Sequence, residues 1–591
     1  MKQSISMSLI NLIILLILAI GIYFFKRKFP KRRINLFYLL ILVAIVPTWT
    51  IFRFGVYESG DFNLHIYRAM AFYDSILEGN IIPSWAKNLN ATYGYPLFSF
   101  NYSLPYYLLS LFKFLGFTFV NSMKIFLAMN FIFSGIFMYL FSKHLFKKAL
   151  PAFAAAIFYL FNPYHLISLN FKITIGEIMF FTFLPLFFLF INLFFSRKKL
   201  LFLLLSSLTF AFLMLSHIVI AFFTAILTSI YIKMFTKIHS FKNLFYLLLI
   251  FLISLLISSY NWVPIFIYKD YLFISVVKLS NEYSPTIQDM LYSPWKMGLL
   301  FQGPKGEISN LIGYSQLLVI LISLYYIITG KAPKYIKFQK FWIAVFFTLI
   351  FLISPYSLFL WEKFGILMIV GSHRLLILVA ITVSILAGYL TLVTKNNKLI
   401  YFILILTIGT TILNWGNRRT IPQITDTVLK KNLPLSTAGG EAHLYANTKW
   451  VNLKEPWFSK IPKNSLEALD GSIDFKLIKK TSTEHVYKIF TDKPIVVKEN
   501  TLYFPTWSAK INNSPVDIWP DSKGIINLKT KSGNQYLEII YSDLPLHLFL
   551  KIISLVTLTS TILLCAYLLI KEKYLRFFNF FGNKKKIRSI F

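Results

Sequence analysis

The stretch Gly60-Asp61-Phe62-Asn63-Leu64-His65-Ile66-Tyr67-Arg68 sits just beyond an apolar span, and its reading decides how the rest of the chain is placed. It puts a carboxylate, an imidazole and a guanidinium at i, i+4 and i+7, hence on one face of a helix. A helix is expected because Phe62, Ile66, Ala69, Tyr73 and Ile76 recur at helical spacing; Gly79 offers a C-terminal stop and Pro83 follows. Two roles are open to Asp61 at the start of that helix. As a cap it would satisfy free N–H groups and the helix dipole. As a reactive carboxylate it would act with its charged neighbours.

Outward from this stretch the chain is strongly apolar. Its 591 residues are 57% hydrophobic, 18% aromatic and only 14% charged, where a soluble protein is about a quarter charged. Runs such as 9–25, 36–54 and 200–216 approach or reach the length that crosses a bilayer. The formal net charge is +36, but the Lys and Arg lie between apolar runs. They read as topology signals and contacts to anionic membrane lipids, so no nucleic-acid partner is expected. The single cysteine, Cys565, excludes an intrachain disulfide and a cysteine metal site. There is no Walker A loop and no Rossmann glycine fingerprint. No cofactor is firmly expected; a divalent metal stays open, and nothing in the sequence indicates one.

The basic clusters set the topology. Lys26, Arg27, Lys28, Lys31, Arg32 and Arg33 follow the first apolar run and hold its end in the cytoplasm, so a second span of about 34–52 delivers Asp61 to the outer face. Further spans are expected near 119–142, 149–161, 176–195, 199–215, 217–235, 241–262, 311–329, 341–355, 373–394, 398–414 and 547–570, about thirteen in all. Basic turns such as Lys143/Lys147/Lys148 and Lys331/Lys334/Lys337/Lys340 fall where this zigzag requires a cytoplasmic loop. Loops 162–175, 263–310 and 356–372 lie on the other side. Beyond Trp415 the composition carries ordinary charge of both signs, with β-rich runs such as Val486–Phe490 and Tyr536–Ile540 punctuated by Asn512-Asn513, Pro515, Pro520 and Ser532-Gly533. Four regions result: an extra N-terminal transmembrane helix with a basic cytoplasmic loop (1–33); a transmembrane module (34–414) with a first outer loop at 55–118; an extracytoplasmic β-rich, sandwich-like domain (415–545); and a final transmembrane helix with a basic cytoplasmic tail (546–591). No repeat of fixed period is visible.

The spans are almost free of charge, which sets the chain apart from carriers with ionisable groups at mid-membrane. The polar candidates gather at the expected outer ends: Asp61, His65, Arg68, Lys172, Glu177, His217, His373 and Arg374. Such a set suits chemistry on a lipid-borne substrate. A carboxylate accepts a proton from an acceptor hydroxyl, and cations hold a leaving phosphate. Each residue also has a plainer role. Arg374 and Lys172 can anchor helix ends by snorkelling, His217 can be a hairpin residue, and Glu177 can sit on a helix dipole. Their shared side and depth favour a site.

The segment from Gly60 to Phe146 resembles the 6-pyruvoyl-tetrahydropterin-synthase-related membrane family. The matching features are Asp61 with His65 and Arg68, then Gly79, Pro83 and Trp85, then Tyr93-Gly94-Tyr95-Pro96-Leu97-Phe98-Ser99-Phe100-Asn101-Tyr102 and Tyr106-Tyr107, with Asn162-Pro163-Tyr164 and Glu177 downstream. Tyr503-Phe504-Pro505-Thr506-Trp507 and Tyr541 resemble the outer domain of YfhO-like proteins. Both groups are related to the GT-C superfamily of glycosyltransferases that use lipid-linked sugars, which similarly place an acidic residue in the first outer loop. Two local departures stand out: Lys172 where arginine is more usual, and Gly371-Ser372-His373-Arg374 in place of aromatic and proline residues before the arginine.

The resemblance implies a GT-C-like polytopic helical membrane protein that moves a sugar from a polyprenyl-phosphate donor to an envelope glycan, lipid or protein acceptor. Asp61 is then the expected catalytic carboxylate. Arg68, Arg374 and Lys172 would face the phosphate, while His65, Glu177, His217 and His373 would shape the site. The expected location is a bacterial or archaeal cytoplasmic membrane. The rival readings are a transporter or flippase of lipid-linked glycans and a non-catalytic envelope assembly factor.

Overall fold

The computed structural model describes residues 2–235, 241–273, 284–296, 298–331, 335–363, 371–394, 397–416, 418–436, 447–451 and 458–587. Expected loop residues outside those ranges, such as 364–370 of the loop 356–372, lie outside the described residues. The chain starts with α1 (Lys2–Lys28), whose last turn carries Lys26, Arg27 and Lys28, and α2 (Leu36–Thr48), capped by the Asn35 side chain. The predicted helix after Gly60 is α3 (Phe62–Leu77), and Gly79 takes a left-handed φ of 96° just past its end. Then come α4 (Leu104–Phe114), α5 (Phe119–Phe146) and α6 (Ala149–Leu160).

Asn162-Pro163 stops α6 and starts α7 (Pro163–Ile167): the Asn162 side chain accepts the Tyr164 N–H, and proline has no N–H to lose there. A π-helical turn, Ser168–Lys172, follows before α8 (Ile175–Arg197). The expected loop 162–175 is therefore largely helical and deeply buried, bent 48° from α6. Backbone at membrane depth must satisfy its own N–H and C=O groups or be enclosed by protein, and this segment does both.

Among the described residues eight helices are long and apolar enough to cross a membrane, and the bent α6–Lys172 pair would make a ninth. Leu36–Phe52, Leu200–Met214, Tyr314–Thr329 and Lys398–Asn414 are apolar but shorter. Every expected span falls on one of these helices. At the centre stands the Leu376–Val393 helix, with every side chain from Leu376 to Leu390 buried. A helix that is apolar all round packs on all sides, whereas Pro545–Ile587 and α1 expose rows of leucine and isoleucine as lipid-facing helices do.

The β-rich region holds two antiparallel sheets. One has β3 (Leu466–Ala468), β6 (Val496–Leu502), β10 (Ile525–Lys529) and β9 (Ile518–Pro520) side by side; the other has β4 (Asp474–Lys480), β5 (Glu484–Thr491), β11 (Gly533–Tyr541), β7 (Trp507–Ile511) and β8 (Ser514–Val516). Burial alternates along β5 and β7, so one face of each strand supplies the core. Asn512 and Asn513, with φ of 48° and 64°, make the two-residue turn between β7 and β8.

This region grips the helical part at several points. Val56–Tyr57 (β1) pairs with Thr420–Ile421 (β2), and the Asp426 carboxylate accepts the Phe119 and Val120 N–H groups at the start of α5. Trp507 and Tyr541 pack on Trp85 at ring separations of 5.2 and 5.5 Å. The Ser482 N–H donates to Glu78 at the end of α3.

Candidate functional site

The charged residues come together where α3, α8, the Met214–Ile218 hairpin and the start of the Leu376–Val393 helix meet. Glu177, in the first turn of α8, is almost wholly buried and accepts from Arg374 Nη1 at 2.6 Å. The same Nη1 lies 3.4 Å from His217 Nε2. The second Glu177 oxygen accepts from Ser168 Oγ at 3.1 Å. Gly176 makes this crossing feasible. A Cβ there would lie 2.5 Å from the Ser216 carbonyl oxygen and 2.9 Å from the Tyr102 ring, so only glycine lets α8 approach the hairpin.

Lys172 holds its ammonium 4.8 Å from the centre of the Tyr164 ring, a cation–π contact, and the His373 ring lies 6.3 Å from the same tyrosine. Lys172 and His373 both stand within electrostatic range of Glu177. Asp61 faces this group from the start of α3, with Arg68, Arg374, Glu177 and Lys172 as its charged neighbours. Burial pushes its carboxyl up to about 6, while Arg68 and Arg374 pull the other way. Asp61 occupies the cap position but makes no side-chain cap hydrogen bond; Ser59 Oγ accepts the Phe62 N–H instead at 3.3 Å. The capping duty thus belongs to Ser59.

Arg68 is buried, with Nη2 3.5 Å from the Tyr95 hydroxyl. His65, although on the same helix, turns to the aromatic side: its Nδ1 lies 3.0 Å from the Tyr106 hydroxyl, and its ring neighbours Tyr102 and Tyr106, which are stacked at 6.0 Å. Seven of the eight expected residues therefore share one electrostatic cluster, and His65 stands one step behind it. Sequence reasoning left out Ser168, Tyr164 and Tyr95 as members. Asn162-Pro163-Tyr164 was visible as a motif, but the Ser168–Glu177 contact depends on a π-turn that has no signal in apolar periodicity. Among the described residues no three His, Cys, Asp or Glu side chains are grouped to hold a metal ion.

The fold and this cluster define a multi-pass helical membrane protein with charged groups gathered at the bundle end that carries the β-rich region. The family described as "6-pyruvoyl-tetrahydropterin synthase related domain; membrane protein" matches residues 98–419, more than half of the 591-residue chain, and the chain belongs to that family. The matched segment includes Lys172, Glu177, His217, His373 and Arg374 and begins after Asp61, His65 and Arg68. An uncharacterized protein of Lactococcus lactis subsp. cremoris (strain MG1363) is 27% identical over 120 residues, 20% of this chain and 20% of that protein. Among solved structures, the arabinofuranosyltransferase AftD from Mycobacteria is similar at 16% identity and a TM-score of 0.42, over 65% of this chain and 27% of AftD. The archaeal oligosaccharyltransferase AglB from Archaeoglobus fulgidus, in complex with an inhibitory peptide and a dolichol-phosphate, is similar at 12% identity and a TM-score of 0.39, over 66% of this chain and 56% of AglB. The chain thus spans about a fifth of the curated relative, about a quarter of AftD and just over half of AglB.

Proposed function

We propose that this protein is a membrane glycosyltransferase that moves a sugar from a polyprenyl-phosphate-linked donor to a cell-envelope acceptor on the extracytoplasmic face. One observation carries the reading: Asp61, whose carboxyl burial raises to about 6, stands within electrostatic range of Arg374, Lys172 and Glu177 at the point where Arg374 pairs with Glu177. A base needs a proton affinity near the working pH, and a leaving phosphate needs cations within reach. Asp61 takes the proton of the acceptor hydroxyl or orients that hydroxyl. Arg374, whose side chain keeps 28% of its surface exposed, and Lys172 hold the phosphate. Arg68, being buried, favours the ionised form of Asp61 against the pull of burial rather than reaching the lipid. Glu177, His217 and His373 hold Arg374 and Lys172 in place, and His65 supports the aromatic wall.

The test is turnover by the purified protein with a panel of polyprenyl-phosphate sugars, read as release of the free carrier. No release with any donor, in the presence of lipid and peptide acceptors, sinks the proposal. The face is tested separately by labelling cysteines placed at Lys148, Lys337, Glu307 and Lys523 in a Cys565→Ser background. Labelling from the outside is expected at Glu307 and Lys523 only. The opposite pattern moves Asp61 to the cytoplasm.

A further inference from the structure

We infer that the π-helical turn Ser168–Lys172 is the template that fixes Asp61 relative to Glu177, with Ser168 a positioning residue for the Glu177–Arg374 pair. The inference rests on the proposal that these carboxylates belong to one site. The turn holds both of them, by different means. Its carbonyls hold the strap that leads to Asp61: Leu169 O accepts from the Tyr57 hydroxyl at 3.2 Å, Phe171 O from Gly60 N at 2.8 Å, and Lys172 O from Asp61 N at 2.9 Å. Its one hydroxyl holds the other carboxylate, Ser168 Oγ donating to Glu177 Oε2 and leaving Oε1 to Arg374.

A π-turn suits this task because its wider i→i+5 closure, here Ile173 N to Ser168 O at 3.0 Å, breaks the regular ladder and turns carbonyls outward. It is held against resistance. Ile173, β-branched and fully buried, sits at φ 58°, ψ 45°, a left-handed conformation that such a residue avoids. Strain of this kind persists only where the surroundings impose it, and it gathers at functional sites. On the other side the strap is locked by Arg418, whose Nε donates to Glu58 O at 2.7 Å while its guanidinium lies 5.5 Å from the centre of the Phe171 ring. Asp61 is therefore clamped at its backbone and Glu177 at its side chain by five consecutive residues.

The experiment uses the full chain with Ser168→Ala, Ser168→Thr and Gly60→Ala. A Cβ on Gly60 would lie 3.2 Å from the Lys172 carbonyl oxygen, so alanine presses the strap off the turn without backbone strain. Ser168→Ala is expected to raise the KM for the lipid donor about tenfold, since one hydrogen bond to a charged group is lost. Ser168→Thr, which keeps the hydroxyl, should restore the parental KM. Gly60→Ala should instead lower kcat, because it displaces Asp61. Melting should stay near parental in all three. Parental kinetics in Ser168→Ala and Gly60→Ala, or losses that track only the folded fraction, overturn the inference. If the parent itself releases no carrier, the glycosyltransferase proposal fails, and modification of Arg374 by phenylglyoxal, mapped by mass spectrometry, decides this one. Several-fold faster modification in Ser168→Ala than in the parent supports the template; equal rates overturn it.

Discussion

Two half-buried aspartates of this protein show opposite electrostatics. Asp543, where β11 passes into the Pro545–Ile587 helix, receives Ser84 Oγ and His547 Nδ1 at 3.0 Å and Lys551 Nζ at 2.6 Å. Despite burial, those partners hold its carboxyl well below the usual aspartate range. Asp61 is half-buried among charges too, yet desolvation wins and its carboxyl rises to about 6. One cluster is saturated: each oxygen of Asp543 has donors, and Lys551 also donates to the Ile82 carbonyl. The other holds more cations than carboxylates and leaves Arg374 partly exposed. A closed ion-pair network ties chain segments together, whereas one that keeps a cation at the surface, as Arg374 does, can meet a ligand.

The contrast breaks down if the two aspartates respond alike to loss of charge. Asp61→Asn is expected to cost about 10²–10⁴-fold in sugar transfer, the usual weight of a general base, with insertion unchanged and melting no lower than the parent's. Asp61→Glu tests reach. Near-parental turnover in Asp61→Asn would falsify the catalytic assignment. Asp543→Asn should do the reverse. It leaves Lys551 buried without its partner, so folding stability should fall by about 3–5 kcal/mol while kcat per folded molecule stays parental. Loss of kcat at unchanged melting would place Asp543 in the site.

A smaller effect is expected for Arg374→Ala. Polyprenyl phosphate should bind on the order of tenfold to a hundredfold more weakly, the scale of a charge-assisted hydrogen bond, as read by native mass spectrometry. Unchanged binding assigns the phosphate elsewhere. The finest test is pH. With its folded pKa raised to about 6, Asp61 is ionised at pH 7, half protonated near pH 6 and lost as a base below it. Transfer should fall on the acid side around pH 6, and Asp61→Asn should lack that limb. The same shift means that Asp61 destabilises the fold progressively as pH rises from the ordinary aspartate range to about 6, with the full cost present above it and none below the ordinary range. Asp543 has the other sign: its stabilisation is present above the ordinary aspartate range and is lost only as the medium becomes strongly acidic. An acid limb near pH 4 would mean that Asp61 is not perturbed.

Much was legible without coordinates. Continuous apolar runs of span length marked where helices form, because a single segment crossing lipid satisfies its own backbone groups as a helix. Helical spacing over Phe62–Ile76 with Gly79 placed α3, and Asn512-Asn513 announced the β7–β8 hairpin, since asparagine tolerates the left-handed backbone that such a turn needs. The eight polar residues stood out because charge is costly beside lipid. What the tertiary structure alone decided is which of them meet, and how. His65 and Arg68 lie on the same helix as Asp61, yet His65 packs on Tyr106 while Arg68 turns to Tyr95 and Asp61. Glu177 and Arg374 are far apart in sequence, and no local pattern encodes their 2.6 Å contact. Ser168 and the π-turn are invisible in sequence because one extra residue per turn changes which carbonyls point outward without changing hydrophobicity. Periodicity reports which face of an element is buried. The partner across that face is set by packing between segments distant along the chain.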